Sequence, residues 1–166
     1  FKDKGIPVYI ADDAGKRLML TSAIKEAITS IFGEEAYSGS KPNRKFIASQ
    51  VFSDSEKLEK LNTIIHPAVA KDFKSWKETQ DVPYIIYEAA ILFETGAYKK
   101  CDFNILVKAP KEERIKRLKK RDNSTRAEIE ARMANQWSDE KKEKLADFSI
   151  KNTDLPLTES QVEEIH

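Results

Sequence analysis

Short apolar runs with strand character alternate along this chain with much longer stretches of helical character. The runs lie at residues 5–11, 82–87, 103–107 and 148–151, and the first reads GIPVYIA. Strands joined by long helical connections are typically parallel, because right-handed crossovers return the chain to the same end of the sheet. The sequence therefore predicts an α/β fold in which helices cover both faces of a parallel sheet.

Helix boundaries are marked by capping signals. Gly33 follows an amphipathic stretch and is expected to end it. A further helix is expected from residue 43 or 44. Ser53 with Glu56, and Thr125 with Glu128, have the spacing of a capping box, which predicts a helix start at each pair.

Three other local patterns give weaker predictions. Residues 34–43 (EEAYSGSKPN) are rich in turn-forming residues and are expected to be exposed. Pro67 disfavours helix at His66, so the pair is expected to separate two helices. Thr158 with Gln161 is expected to cap a closing helix.

Composition limits the class of protein. With 166 residues, 40% of them hydrophobic, the chain is long enough for one domain with its own core. No apolar run reaches the length of a membrane span, and the start of the chain does not resemble a signal peptide. Its single cysteine, Cys101, fits a reducing compartment, so a cytoplasmic location is expected.

Acidic residues follow the first two predicted strands. Asp12 comes after the first, and Glu88 and Glu94 come after the second. Ligands of parallel α/β sheets bind beyond the carboxyl ends of the strands, so all three are expected at a solvated, ligand-facing edge. A basic segment, RIKRLKKR at residues 114–121, could close over phosphates. Together these features indicate a bound polyanion, most simply a nucleotide with magnesium.

Plainer interpretations stay open for each feature. Asp12 could cap a helix, and the basic segment could be a solvated helix. His66 could be a structural hydrogen-bonding residue. No second histidine lies at metal-ligand spacing from it, so no zinc site is expected.

Several segments, in this order and spacing, resemble the dephospho-CoA kinase family over nearly the whole chain. They are GIPVYIADDAGKRL, NRKFIASQVFSD, KLNTIIHPAV, ILFETGAYKKCD, RIKRLKKRD, RMANQW and ADFSIKNTD. The resemblance implies a three-layer α/β/α parallel sheet of the P-loop nucleotide-kinase type. It also implies phosphorylation of the 3′-hydroxyl of dephospho-CoA by ATP, with Mg²⁺ bridging the phosphates and no direct protein ligand expected for it. ATP and dephospho-CoA are thus the expected partners, with no nucleic acid and no membrane, and nothing indicates the oligomeric state.

The resemblance also implies roles for individual residues. Asp12 matches the second acid of the family's DAD motif and is expected to be the general base, although Ile10 replaces the first acid. Arg121 is expected to be a catalytic arginine of the lid. The expected substrate-binding residues are Lys16, Arg17, Arg44, His66 and Glu94, with Lys16 and Arg17 competing for one motif position. The expected nucleotide and lid residues are Arg117, Arg121, Arg132, Gln136 and Asn152.

The same resemblance predicts one kinase domain with three parts. Residues 1–15, 77–113 and 145–166 form the core. A helical CoA-binding region is expected at 16–76, and a lid at 114–144.

The phosphate-binding loop GxxxxGK[ST] is not found in the sequence, because none of its five glycines has the required spacing. The opening FKDKG is typical of the end of the helix that follows such a loop. The sequence is therefore expected to start roughly twenty residues late against the family pattern, without the first strand and the loop. As written, it is expected to bind ATP poorly. Either residues are omitted or the form is truncated, and the exposed sheet edges of a truncated form favour omission.

Other functions remain as alternatives. The chain could be another nucleotide kinase, or a nonenzymatic CoA- or nucleotide-binding relative. Nucleic-acid binding through residues 114–121 is disfavoured, because 29 basic and 28 acidic residues leave a net charge of only +1.

Overall fold

The computed structural model describes residues 1–52 and 54–166. Over these residues the chain is an α/β protein with parallel strand pairs, as predicted. It divides into two compact units, Phe1–Ala89 and Ala90–His166, and each is described by itself.

The first unit pairs two short strands that lie far apart in the sequence. Its elements are β1 (Val8–Ile10), α1 (Ala11–Leu18), α2 (Ser22–Phe32), β2 (Tyr37–Ser38), β3 (Lys41–Pro42), α3 (Arg44–Phe52), α4 (Ser55–Glu78) and β4 (Ile86–Glu88). β1 and β4 run parallel, and Ile10 lies opposite Glu88 at their carboxyl ends. β2 and β3 form a small antiparallel hairpin.

Helix α4 contributes side chains to two apolar clusters in this unit. In one cluster, Ile28 and Phe32 of α2 and Ile47 of α3 are buried together. In the other cluster, Tyr9 of β1 packs against an aromatic group from α4 and β4. Its ring centroid lies 5.0 Å from that of Phe73. These contacts fix α1 and the end of β1 against α4.

The second unit contains the other parallel pair. Its elements are β5 (Ile105–Lys108), α5 (Lys111–Asp122), α6 (Arg126–Ala134), α7 (Asp139–Glu143), β6 (Phe148–Lys151) and α8 (Leu155–Ile165). β5 and β6 pair in register from Ile105 opposite Phe148 to Lys108 opposite Lys151. Ile115 of α5 and Ile129 of α6 are buried, on two helices that are rich in charged residues.

The expected break at His66 and Pro67 is wrong. α4 runs without interruption through Pro67. Proline inside a helix costs about 3 kcal/mol, because it removes a hydrogen bond and its ring crowds the preceding turn. Ile65 before the proline and Val69 after it pack against the same cluster, and this burial outweighs the local cost.

The segment 34–43 is more ordered than its composition suggests. Ala36 and Tyr37 are buried, and the Tyr37 hydroxyl donates a hydrogen bond of 2.8 Å to the carbonyl of Met19. Most of the segment is exposed, as expected, and these two buried residues are the exception. Turn propensity alone could not reveal which residues of the segment would be buried.

Two of the helix-start predictions can be compared with the structure directly. The capping box of Thr125 and Glu128 is confirmed at the start of α6. The cap predicted at Thr158 is wrong, because α8 begins at Leu155 and Asp154 accepts the hydrogen bond of the Leu157 amide.

Another predicted cap, at Ser53, lies outside the described residues. Asp54 caps α4 by accepting from the amides of Glu56 and Lys57, each at 3.0 Å. The helix predicted from residue 43 or 44 begins at Arg44, and Gly33 follows the end of α2, both as expected.

Candidate functional site

Acidic side chains meet at the carboxyl ends of β1 and β4. Ile10 and Glu88 are level in the strand register, and α1 starts at the next residue, Ala11. This places Asp12 and Asp13 in the first turn of α1, beside the end of β4. Acids are favourable there because the helix dipole leaves a partial positive charge at the amino end. The N-cap of α1 is Ile10, so the alternative role of Asp12 as the cap is wrong.

Lys16 neutralises part of this acidic group. Its ammonium forms a close ion pair with Asp12, one helical turn away, and lies 3.1 Å from Oδ1 of Asp13. Hydrogen bonds to Asp12 and then Asp13 raise the pKa of Lys16 above its ordinary value. Both aspartates are more than half exposed and can be reached by a ligand.

Glu88 is the member of the group with the least favourable charge. Its pKa is raised, first by desolvation of its carboxyl group and then by the negative charges of Asp12 and Asp13, with Lys16 opposing them. A cation or a proton would relieve this repulsion. The group therefore has the electrostatics of a site that handles protons or divalent cations.

Lys16 and Arg17, which the sequence analysis could not separate, point to different neighbours. Arg17 Nη2 lies 2.7 Å from Oδ2 of Asp72 on α4, and the buried Tyr9 hydroxyl donates to the same oxygen at 2.7 Å. Desolvation would raise the pKa of Asp72, but the hydrogen bonds from Arg17 and Tyr9 outweigh it and lower that pKa. Lys16 is thus the basic residue next to Asp12, and Arg17 joins α1 to α4.

Two more predicted substrate-binding residues lie on the helices of the first unit. Arg44 is the first residue of α3, and His66 lies in the middle of α4. Both are exposed. Within the described part of the chain, neither forms a hydrogen bond or an ion pair with Asp12. Their role in binding substrate stays a prediction.

The expectation that Glu94 lies at a solvated edge is wrong. Its side chain is 13% exposed and forms a 2.9 Å ion pair with Lys142, which is itself 9% exposed. It also accepts a 2.8 Å hydrogen bond from the Trp137 amide. Burial alone would raise the pKa of Glu94, but Lys142 and this amide outweigh it and lower that pKa. Its other oxygen, Oε2, is buried with no partner among the described residues.

Two predicted nucleotide residues are brought together in the second unit. Arg117 Nη1 donates to the carbonyl and side-chain oxygens of Asn152 at 3.0 and 3.2 Å. Arg117 Nη2 donates to the carbonyl of Thr153 at 3.0 Å. These bonds fix the chain just after β6 to helix α5. The resemblance implied that Arg117 is a lid residue, and its observed contacts are with this loop.

Two other predicted lid residues share one carboxylate. Asp122 accepts from Arg121 Nε at 2.6 Å and from Arg132 Nη1 at 3.2 Å. Arg132 also donates to Ser124 Oγ at 2.9 Å. The hairpin formed by α5 and α6 therefore brings Arg121 and Arg132 to the same carboxylate, and their assignment to the lid stays a prediction.

Gln136 lines a separate pocket of about 310 Å³ in the second unit. Arg114, Trp137 and Asp139 also line it, and Arg114 pairs with Asp139 at 3.2 Å. The ammonium of Lys141 lies 3.4 Å from the centre of the Trp137 ring. The pocket wall is thus held by the Arg114–Asp139 ion pair and the contact of Lys141 with Trp137, and Gln136 lies beside them.

Neither a metal-binding group of three or more side chains nor a membrane-spanning helix is found among the described residues. Among residues 1–52 and 54–166, no group of three or more histidine, cysteine, aspartate or glutamate side chains could hold a metal ion. None of the helices described is long and apolar enough to cross a membrane.

Asp72, Lys142 and Asp122 have structural roles that the sequence analysis missed. Each forms an ion pair with a predicted site residue that lies on another part of the fold. Asp122 follows Arg121 in the RIKRLKKRD segment, so its neighbour was visible in the sequence. Asp72 pairs with Arg17, and Lys142 pairs with Glu94. Both pairs span long sequence separations, and no local pattern marks either residue.

Comparisons with known proteins identify the family of this chain. Residues 1–156 match the family described as dephospho-CoA kinase. A dephospho-CoA kinase of Bacteroides fragilis is 37% identical over 150 residues, which are 89% of this chain and 73% of the relative. One of Chlorobium chlorochromatii is 40% identical over 161 residues, 92% of this chain and 76% of the relative.

Two solved structures resemble this chain in fold. A Thermus thermophilus protein of known crystal structure superposes with a TM-score of 0.89 at 29% identity, covering 99% of this chain and 84% of its own. The dephospho-CoA kinase of Campylobacter jejuni gives 0.65 at 28% identity, covering 99% and 85%. These likenesses confirm the predicted α/β fold class. Since the family match spans most of the sequence, this chain belongs to the dephospho-CoA kinase family.

Proposed function

We propose that the chain transfers the γ-phosphoryl group of ATP to the 3′-hydroxyl of dephospho-CoA, giving coenzyme A and ADP. The observation that supports this most strongly is the family match over residues 1–156. Phosphoryl transfer needs positioning, positive charge around the phosphates and an acceptor for the hydroxyl proton. The chain offers candidates for all three tasks.

Asp12 is the proposed proton acceptor. The attacking hydroxyl oxygen forms a bond to the γ-phosphorus while the bond to the bridging oxygen of ADP breaks. The hydroxyl proton passes to the Asp12 carboxylate, and the negative charge leaves with ADP. Lys16, on the same helix, forms a close ion pair with Asp12 and lies beside the reacting carboxylate.

The basic residues have proposed roles according to their surroundings. Arg121, whose side chain is 72% exposed, neutralises charge on the phosphates. Arg117 and Asn152 shape the loop after β6 for the nucleotide. Other proposed binding residues, carried over from the resemblance, are Lys16, Arg17, Arg44 and His66 for dephospho-CoA and Arg132 and Gln136 for the nucleotide.

Glu94 has a different proposed role from the one that the resemblance implied. Because it is buried against Lys142, it supports α7 and the Trp137 backbone. Any effect on substrate binding would then pass through that support.

Mg²⁺ fits the acidic group of the first unit. Magnesium in kinases is usually held by one or two carboxylates together with substrate phosphates, and keeps several waters. Glu88 would be one such carboxylate. Burial of its carboxyl group and then the negative charges of Asp12 and Asp13 raise its pKa, and a nearby cation would favour its charged form. When bound, Mg²⁺ would shield the charge of the triphosphate.

The proposal also assigns a role to each region of the chain. Residues 16–76 bind dephospho-CoA, residues 114–144 form the lid, and the remaining residues form the core of one kinase domain. We also propose a cytoplasmic location, on the basis of the single cysteine.

An ADP-release assay on the full-length protein tests the function. ADP should form with dephospho-CoA and ATP. Coenzyme A is the matched control acceptor because its 3′ position is already phosphorylated, and it should give no ADP above background. Turnover with a nucleoside monophosphate and none with dephospho-CoA would contradict the proposal and indicate another nucleotide kinase.

A further inference from the structure

Asp122 lies at the junction of α5 and α6, where it contacts two arginines. α5 ends at Asp122, and Asn123 adopts a left-handed conformation with φ of 51° that turns the chain toward α6. The Asp122 carboxylate accepts from Arg121 through both oxygens, Oδ1 from Nε at 2.6 Å and Oδ2 from Nη2 at 3.1 Å. The two parallel bonds fix the plane of the Arg121 guanidinium.

The second arginine holds the carboxylate in turn. Arg132 donates to Asp122 Oδ2 at 3.2 Å, to Ser124 Oγ at 2.9 Å and to the carbonyl of Glu128 at 3.4 Å. Its guanidinium thus contacts three acceptors from one hairpin. This makes Arg132 an anchor for the Asp122 carboxylate.

Exposure differs sharply within the group. The Asp122 side chain is 23% exposed, whereas that of Arg121 is 72% exposed. The Asp122 side chain is thus much less exposed than that of Arg121, most of which faces solvent. Hydrogen bonds from Arg121 and then Arg132 lower the pKa of Asp122, so it stays charged at neutral pH.

The net charge of Asp122, Arg121 and Arg132 together favours the binding of an anion. Two guanidiniums and one carboxylate leave a net charge of +1 on this part of the hairpin. Without the carboxylate the two cations would repel each other, and the long Arg121 side chain would sample many rotamers. A fixed guanidinium loses less conformational entropy when it binds phosphate, so the arrangement is organised in advance for a phosphate ligand.

We propose that Asp122 is a positioning residue that orients the Arg121 guanidinium toward the phosphates of the nucleotide, with Arg132 as its anchor. The inference rests on the proposed function, since it assumes that a nucleotide is the ligand. It gives Arg132, which the proposed function assigns to nucleotide binding, the role of a support for Asp122.

The test compares Asp122→Asn with Glu112→Gln in the full-length protein. Glu112 is the matched control because it joins the same two helices, through hydrogen bonds of 2.7 and 2.9 Å to Arg126. We expect Asp122→Asn to weaken ATP binding, measured by calorimetry, about tenfold and to lower turnover at saturating ATP by at least as much. The KM for dephospho-CoA should stay within about twofold. Glu112→Gln should change neither ATP binding nor turnover by more than about twofold.

A double-mutant cycle with Arg121→Ala shows whether Asp122 acts through Arg121. If it does, adding Asp122→Asn to Arg121→Ala causes no further loss of ATP affinity. Additive losses, or equal effects of Asp122→Asn and Glu112→Gln, would overturn the inference and leave Asp122 a structural residue. Calorimetry needs no acceptor. An ATP affinity that depends on Asp122, without ADP formation from dephospho-CoA, would therefore contradict the proposed function and support this inference.

Discussion

At the scale of single residues, the ion-pair partner and the exposure of each carboxylate decide whether a ligand can reach it. Asp12 is 71% exposed and pairs with a lysine on its own helix, so it can be reached by a ligand. Glu94 is 13% exposed and pairs with the buried Lys142. The sequence places both acids after apolar runs, and only their partners distinguish a candidate base from a structural ion pair.

Replacing Asp12 should separate chemistry from binding. Asp12→Asn keeps the size of the side chain but cannot accept the hydroxyl proton. We expect turnover to fall by a factor of about 10² to 10⁴ with little change in the KM for dephospho-CoA. Steady-state ADP release measures both quantities.

Asp13→Asn is the matched control for this prediction. It removes one charge from the same helical turn and from the same partner, Lys16. Its turnover should fall less than about tenfold, since it removes only an electrostatic neighbour. Equal losses for the two variants would exclude a special role of Asp12 as base.

Replacing Glu94 should lower stability in a pH-dependent way. Glu94→Gln leaves the ammonium of Lys142 without its charged partner, and we expect the free energy of unfolding at pH 7 to fall by about 3 kcal/mol. The folded-state pKa of Glu94 lies below its ordinary value of 4.5. Its stabilising contribution is therefore present above pH 4.5 and is lost as the pH falls through the lowered pKa.

Urea denaturation at pH 7 and at about pH 3 measures this effect. The difference between the wild type and Glu94→Gln should shrink at the lower pH. Glu159→Gln, at an exposed position of α8, serves as the control and should change stability by less than about 0.5 kcal/mol at both pH values. A difference that stays constant with pH would contradict the buried ion pair.

At the scale of elements, contacts between helices and strands outweigh local preference. α4 continues through Pro67 because apolar side chains on both sides of the proline are held in one cluster. In the second unit, Arg117 fixes the loop after β6 to α5 by three hydrogen bonds. Each is a tertiary contact that sets where an element runs or how it is held.

Pro67→Ala should stabilise the protein. Alanine restores the backbone donor in the middle of α4 and removes the crowding of the proline ring, for a gain of about 1–3 kcal/mol in the free energy of unfolding. Pro156→Ala is the control, because Pro156 lies in the first turn of α8, where proline is favourable. Thermal unfolding should show a higher Tm for Pro67→Ala and no increase for Pro156→Ala. A lower Tm for Pro67→Ala would mean that the native helix requires the proline geometry.

At the scale of the whole molecule, the balanced charge is reflected in local pairing. The net charge is +1. Many basic residues of the α5–α6 hairpin face acids, as in the pairs of Lys111 with Glu130 at 3.2 Å and of Arg126 with Glu112 at 2.7 Å. Within the basic segment itself, Arg114 pairs with Asp139 and Arg121 with Asp122, so part of its positive charge is neutralised.

Nonspecific nucleic-acid binding should accordingly be weak. Fluorescence anisotropy with a labelled DNA duplex should give a Kd weaker than about 100 μM at 0.15 M salt. The double variant Glu112→Gln with Glu130→Gln removes the acidic partners of Lys111 and Arg126, and should bind the duplex more tightly with a steeper salt dependence. Micromolar binding by the wild type would restore the nucleic-acid hypothesis.

Much of the fold could be predicted because its signals are local. The alternation of apolar runs with helical stretches indicated an α/β fold, and the capping box of Thr125 and Glu128 gave the start of α6. Strand lengths were less well predicted, since β4 begins only at Ile86, later than the apolar run suggested. Hydrogen-bonded pairing sets the length of a strand, and hydrophobicity alone does not show where pairing begins.

The sequence by itself determined the class of fold and the membership of the family, since periodicity and the order of motifs are properties of the linear chain. Tertiary structure decided which charges meet. It joined Arg17 to Asp72, Glu94 to Lys142, and Arg132 to Asp122. The physical reason is that the energy of a charge depends on the distance to its partner and on the exposure of both, and for pairs made across elements the sequence fixes neither.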